Sequence, residues 1–367
     1  MPMFLEPTRR GFLASGLAAG ALLALPKSVY HAALLAEEKP SEKIRIGVIG
    51  TGGQGKSNMK AILPNVVAVC DVDKDHLADA AKLADPKVET HIDYRKLLDD
   101  KTIDAVLIAT PDHWHALQTI HACEAGKDVY CEKPLTLVIA EGRAMVNAAR
   151  KHKRIVQTGS QQRSDAKFRQ ACELVRGGVI GKIHTVEVGL PGPNFKGPGV
   201  PDGKAPAALD YDLWLGPAPE RAYNEKCVHY LFRFFWDYSG GQQTNFGAHH
   251  LDIAQWGLGM DDSGPTEIEG KATFHKDKWF ETPETALVKY TYGNGIKMLC
   301  SLGGGKAAYA GGTTFKGDKG TIFVTRGKIE VTLNGEVVDA AKLPATESKL
   351  EVSGNHHKNW LECIKTR

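Results

Sequence analysis

Two short stretches hold the residue types that move protons. Glu132-Lys133-Pro134 follows the strand-like run Asp128-Val129-Tyr130-Cys131, which delivers an ionisable lysine to a strand end. Gly247-Ala248-His249-His250-Leu251-Asp252 supplies two adjacent histidines and an acid three residues after the first. Oxidising a secondary alcohol removes hydride from carbon and a proton from oxygen, and the proton needs a general base within hydrogen-bond reach. Histidine titrates in the working range unperturbed. A lysine does so when burial and a neighbouring cation depress its pKa. Lys133 therefore has two open roles, polarising the oxygen as a cation or shuttling its proton. The plainer alternatives are a salt bridge with Glu132 for Lys133 and a buried structural ring for His249. Asn245 precedes His249 by four residues and shares its face on a helix, and Asp252 is placed to orient the His249 ring.

Further candidates stand near other strand ends. Thr110-Pro111-Asp112-His113-Trp114-His115 is expected as a loop after one strand, and Gly159-Ser160-Gln161-Gln162-Arg163 opens the second half of the chain. Arg163 either binds substrate or pairs with an acid. Of the aromatic group Tyr230, Phe232, Phe234, Phe235, Trp236 and Tyr238, most suit a core, and Trp236 with Asp237 is the pair best set for substrate contact. The histidines at 113, 115, 249 and 250 lack the tight spacing of zinc ligands, so no metal is expected.

The element that must serve this chemistry lies upstream. The apolar run Ile44-Arg45-Ile46-Gly47-Val48-Ile49 closes in Gly50-x-Gly52-x-x-Gly55, a strand, glycine turn and helix start in that order. Gly50 permits the tight turn, Gly52 lets backbone approach a pyrophosphate, and Gly55 lets helix and strand pack closely. N–H groups at the helix start then face the phosphates. A second run, Val66-Val67-Ala68-Val69-Cys70, ends in Asp71, whose carboxylate suits ribose hydroxyls and repels a 2′-phosphate. Val72, Asp73 and Lys74 follow with no arginine, so NAD is expected over NADP.

Strand and helix alternate from 41 to about 160, which predicts an α/β fold opening with a Rossmann-type, doubly wound parallel sheet. Predicted helices include Lys74–Ala84, Tyr94–Leu98, His115–Glu124, Ile139–Lys151 and Ala166–Val175. Residues 191–219 read as a long Pro- and Gly-rich loop, and from 266 onward short alternating runs predict a large, mainly antiparallel open sheet in an α+β domain. The expected division is 1–40 as signal and linker, 41–160 for cofactor binding, and 161–367 for substrate binding and self-association. At 367 residues two domains are expected, and a net charge of +3 with interspersed signs excludes a nucleic-acid footprint. Seven cysteines without a C-x-x-C pair argue against a disulfide framework or zinc ribbon. Thr8-Arg9-Arg10-Gly11-Phe12-Leu13 and the Ala/Leu/Gly stretch after it read as a twin-arginine signal, so export to the periplasm or cell envelope is expected, with membrane contact only through an uncleaved signal.

On the glycine fingerprint with Asp71, on Glu132-Lys133-Pro134, and on Gly247-x-His249-x-x-Asp252, the chain resembles the Gfo/Idh/MocA oxidoreductases from Ile44 almost to its end. The resemblance implies a homo-oligomeric NAD-dependent oxidoreductase acting on a secondary hydroxyl of a sugar, glycoside or polyol. A second implied activity is glycoside hydrolysis through transient oxidation and elimination. It assigns Lys133 as the active-site lysine and His249 as the histidine exchanging a proton with the substrate. Cofactor contacts would come from Gly50, Gly52, Gln54, Gly55, Asp71, Thr110, Pro111, His115 and Glu132. Substrate contacts would come from Trp114, Arg163, Trp236, Asn245 and His250. Asn245 departs from the aspartate frequent in the family; an amide orients a histidine but holds no charge. More chain is expected after Asn359-Trp360-Leu361-Glu362.

Overall fold

Runs that are apolar on both faces become central parallel strands, because only such strands can be covered by helices on each side. The computed structural model describes residues 43–195, 199–277, 279–303 and 311–367, and Ile44–Arg367 form one unit. The twin-arginine stretch lies outside the described residues. The first half runs β1 (Ile46–Ile49), α1 (Gly53–Ala61), β2 (Val66–Cys70), α2 (Lys74–Ala84), β3 (Glu89–His91), α3 (Tyr94–Asp99), β4 (Ala105–Ile108), α4 (Asp112–Glu124), β5 (Asp128–Cys131), α5 (Ile139–Lys151) and β6 (Val156–Thr158). These strands form one parallel sheet in the order β3-β2-β1-β4-β5-β6. The order reverses between β1 and β4, and ligands bind outside the carboxyl ends at such a switch point. All four residues of β1, β4 and β5 are buried.

Helix α4 begins at Asp112, three residues earlier than the expected His115. Pro111, with φ −60° and ψ 154°, occupies its N-cap, and the fixed φ of proline suits a helix start. Trp114 and His115 thus sit in a first helical turn, held more rigidly than on a loop.

The second half adds α6 (Ala166–Arg176), β7 (Ile183–Leu190), α7 (Tyr211–Leu215), α8 (Gly241–Asn245), α9 (Gly247–Leu258), β8 (Pro265–Thr273), β9 (Thr285–Tyr292), β10 (Lys297–Leu302), β11 (Gly312–Gly317), β12 (Gly320–Thr325), β13 (Lys328–Leu333), β14 (Glu336–Val338) and α10 (His356–Thr366). Its eight strands order as β14-β13-β12-β11-β7-β10-β9-β8, antiparallel except for the parallel pair β7 and β10. Phe168, Cys172, Ile253 and Ala254 of α6 and α9 pack with Val186, Val188, Cys300, Phe315 and Ile322 of the sheet in one buried cluster. Ile268 and Leu287 are exposed. The last helix returns to the first sheet, with the Trp360 ring 5.7 Å from that of Tyr130. Among the described residues no helix is long and apolar enough to cross a membrane. All seven cysteines are free, and six are buried.

Candidate active site

A cavity of about 1050 Å³ opens at the carboxyl ends of β1, β2, β4 and β5 and is closed on its far side by α8, α9 and the 3₁₀ turn His229–Phe234. On the β1–α1 wall the glycines act by what they leave out. Gly50 has φ +82°, and a Cβ there would lie 2.7 Å from the Ala109 carbonyl carbon. A Cβ on Gly55 would lie 1.9 Å from the Gly50 carbonyl oxygen, so Gly55 sets the helix-to-turn distance from behind the cavity lining. Gly52 caps α1 without a side-chain hydrogen bond, which leaves the first N–H groups of the helix to a ligand.

Asp71 closes this end. Its carboxylate accepts the Thr51 N–H at 2.7 Å, the Thr51 hydroxyl at 3.2 Å and the Asp73 N–H at 2.9 Å. Burial pushes its pKa up, against those bonds and the nearby His76. Arg95 also lines the cavity, but its guanidinium is committed to Asp93 at 2.7 Å. The glycine cradle, uncapped helix start and carboxylate fit a dinucleotide without a 2′-phosphate.

Glu132 is the polar hub between the walls. It accepts Asn58 Nδ2 at 2.7 Å, Gln161 Nε2 at 3.0 Å, Gln54 Nε2 at 3.3 Å and the Lys133 N–H at 3.2 Å. Lys133 Nζ turns away from it and donates to Asn245 Oδ1 at 2.7 Å and to the Asn245 carbonyl at 3.3 Å. Asn245 Nδ2 donates in turn to Gln242 Oε1 at 2.8 Å. Burial lowers the Lys133 pKa, Glu132 opposes that shift, and Arg233 adds to it. His249 lines the cavity from α9, and its Nδ1 is buried without a partner. Its pKa is pushed down to about 3, first by burial and then by Lys133 and Arg326. A histidine expected to titrate unperturbed is therefore held neutral, by burial first and by its cationic neighbours next.

The two strand-end loops are tied together by His115, whose ring nitrogens lie 2.7 Å from the Pro134 carbonyl and 2.8 Å from that of Thr110. Thr110 Oγ1 donates to Gln118 Oε1 at 2.8 Å, and Trp114 Nε1 donates to the Trp214 carbonyl at 2.9 Å. Gly50, Gly52, Gln54, Asp71, Thr110, Pro111, Trp114, His115, Glu132, Lys133, Asn245 and His249 thus share one cavity.

Three expected substrate contacts are not on that lining. Arg163 holds Asp252 through Nε and Nη2 at 2.8 and 2.7 Å, reaches Asp261 at 2.7 Å, and lies over the Trp256 ring. Asp252 is consequently paired with Arg163 and is not bonded to His249. Trp236 is half exposed, and its backbone N–H donates to Glu281 at 2.8 Å. The buried His250 ring stacks near Phe246 at 6.5 Å, and burial pushes its pKa down to about 4.

Arg233 and Arg326 line the cavity and were not anticipated, and Asp112, named only as part of the 110–115 segment, lines it too. An arginine inside Tyr230-Leu231-Phe232-Arg233-Phe234-Phe235 was a readable signal, since a charge within an apolar run asks for a purpose. Arg326, in the turn between β12 and β13, carries no such mark.

Residues 44–160 match the NAD-binding Rossmann fold of an oxidoreductase family, and residues 166–362 match that family's C-terminal alpha/beta domain. The uncharacterized oxidoreductase YrbE of Bacillus subtilis is 32% identical over 71% of this chain and 67% of its own. Inositol 2-dehydrogenase 1 of Saccharopolyspora erythraea is 33% identical over 47% of this chain and 54% of its own. Myo-inositol 2-dehydrogenase of Thermotoga maritima is 34% identical over 46% and 48%. The chain thus spans about half the length of these two inositol dehydrogenases. The fold is that of the WlbA dehydrogenase from Bordetella pertussis in complex with NADH and UDP-GlcNAcA, at TM-score 0.65, 19% identity and 88% coverage of each chain. Levoglucosan dehydrogenase in complex with NADH and levoglucosan superposes at TM-score 0.64 and 18% identity, over 88% of this chain and 89% of that one. The chain belongs to the Gfo/Idh/MocA oxidoreductase family.

Proposed function

We propose that the protein is an NAD-dependent dehydrogenase exchanging hydride with a secondary hydroxyl of a sugar, glycoside or polyol. The observation that carries this reading is that Lys133 and His249 face the same cavity as the glycine cradle and Asp71. When bound, NAD supplies the hydride acceptor. The α1 start and Asp71 would hold its phosphate and ribose ends. Lys133, fixed by the Asn245 side chain and carbonyl, polarises the substrate oxygen as a cation. His249, kept neutral by burial first and then by its cationic neighbours, faces the cavity as the proposed acceptor of the hydroxyl proton. Asn245 positions the ammonium without adding charge. The sugar, sugar nucleotide and inositol ligands or substrates named for relatives and structural neighbours support a polyhydroxylated substrate.

The test is product analysis of myo-inositol, hexoses and alkyl glycosides incubated with the NAD-loaded protein. The expected result is a ketone on an intact substrate, matched by reduced cofactor. Cleaved glycoside with the cofactor returned to its oxidised form would replace this reading with redox-assisted hydrolysis. Neither product would sink both.

The Arg9-Arg10 pattern supports export of the folded protein, which a reporter fusion in cells lacking twin-arginine transport tests. The exposed Ile268 and Leu287 on the sheet support self-association, which light scattering tests.

A further inference from the structure

Two arginines, Arg233 and Arg326, line the cavity near Lys133, and Arg326 also lies near His249. The carboxylates near them are poor counterions. Glu132 is already engaged by four donors. Asp112 is 5% exposed and accepts the Ser239 hydroxyl at 2.5 Å, and its burial raises its pKa, which disfavours the anion. Arg233 has no carboxylate within ion-pair distance among the described residues; one Nη donates to the Tyr230 carbonyl at 2.9 Å, and the guanidinium lies 4.6 and 4.7 Å from the Tyr230 and Phe232 ring centres. Arg326, more exposed at the rim, donates through Nε to Gln162 Oε1 at 3.2 Å and likewise lacks an ion pair there.

Other arginines of this chain show the contrast. Arg95, Arg163 and Arg221 each hold a carboxylate at 2.6–2.7 Å. A largely desolvated guanidinium is costly unless an anion meets it, and its planar fork matches carboxylate and phosphate oxygens. Arg233 also lies close enough to Lys133 to disfavour its charge, and Arg326 does the same to His249. An anion bound between them would relieve both effects.

We infer that Arg233, assisted by Arg326 at the rim, binds a carboxylate or phosphate carried on the same sugar or polyol whose hydroxyl meets Lys133 and His249. The inference rests on the proposed dehydrogenase reading and narrows its substrate to an acidic one. The cofactor's own pyrophosphate is the competing source of the anion, and the experiment separates the two.

Calorimetric titration of the NADH-loaded protein with glucose, glucuronate and glucose 6-phosphate is the test. At least one acidic probe should bind about 10- to 100-fold more tightly than glucose, the range for hydrogen bonds to a charged group. Arg233→Gln should abolish that preference while leaving NADH affinity unchanged. Arg233→Lys, which keeps the charge but loses the fork, should retain part of it. Which acid is preferred distinguishes a carboxylate from a phosphate. Equal binding of acidic and neutral probes, or an Arg233→Gln variant that weakens NADH instead, would overturn the inference. Binding is read without turnover, so acid selectivity without hydride transfer would defeat the dehydrogenase reading alone. Turnover of neutral sugars without acid selectivity would defeat this inference alone.

Discussion

Across one cavity, two walls treat their polar groups differently. On the β1–α1 side Asp71 accepts three hydrogen bonds, and Glu132, between the walls, accepts four, two of them from α1. On the α8–α9 side His249 buries an Nδ1 without a partner among the described residues, and Arg233, on the adjoining 3₁₀ turn, faces the cavity with no carboxylate at ion-pair distance among them. Buried polar atoms normally find partners, so the second wall is organised for groups that a ligand supplies. The first wall is organised by the chain itself, as suits an unvarying dinucleotide. Binding and chemistry should therefore be separable by mutation, one wall at a time.

The largest effect is expected from Lys133→Ala. Turnover should fall by about 10³-fold, within the range for a positioned proton-handling group, while fluorescence titration shows NADH binding as before. Equal loss of NADH affinity would mean that the walls are not separable. The pH profile sharpens this test. If the cation is the active form, kcat/KM falls as pH rises through the Lys133 pKa, which burial sets below the ordinary 10.5. Asn245→Asp would put a carboxylate where Oδ1 lies 2.7 Å from Nζ. It should favour the ammonium and move that limb up by about one pH unit or more. A limb that stays put would remove Lys133 from the profile.

Gly55→Ala tests the first wall. Its Cβ would meet the Gly50 carbonyl oxygen at 1.9 Å, a backbone atom that cannot swing aside. A loss of about 1–3 kcal/mol, the usual cost of overpacking, is expected in thermal or urea unfolding, together with weakened NADH binding. Gly53→Ala, with nothing within 4 Å of its Cβ, is the control and should leave stability unchanged. Equal effects of the two would show that the glycine spacing does not set this geometry.

The same contrast decides what was legible in the sequence. The first wall is local: β1, the glycine turn and Asp71 lie within one strand–helix–strand unit, and periodicity exposes all of it. Helix α2 could be bounded as Lys74–Ala84 because Asp73 caps it, accepting the N–H groups of Asp75 and His76. The second wall is assembled from distant segments. Strand β7 reads as a strand, yet its central place, parallel to β10 and antiparallel to β11, depends on pairings that no local pattern carries. Gly312-Thr313-Thr314-Phe315-Lys316-Gly317 has little apolar alternation, and β11 is not apparent until it pairs. Residue type alone predicts a His249 titrating near neutrality. Its neighbours Lys133 and Arg326 come from other parts of the chain, and with burial they set the opposite state.

Asp71→Ala should have an intermediate effect confined to the first wall. It removes the acceptor for ribose hydroxyls and the repulsion of a 2′-phosphate, so the preference for NAD over NADP should shrink by at least about tenfold. NADP should not become the favoured cofactor, because Arg95 remains bound to Asp93 at 2.7 Å. An unchanged preference, measured as the ratio of kcat/KM values, would show that Asp71 does not read the ribose.

Arg163→Ala should have the smallest catalytic effect, and it tests where the second wall ends. Arg163 is a third exposed, joins α9 to Asp261 through two carboxylates, and packs over Trp256 at 5.3 Å. Solvent screening limits such pairs, so about 1 kcal/mol of stability is expected to be lost, with a lower Tm and an unchanged KM. Since Arg163 holds Asp252, three residues beyond His249 on the same helix, a rigid α9 should keep His249 in place without it. A fall in kcat at constant KM would instead show that this surface pair orients the His249 ring, and the wall would then extend through α9 to Asp261.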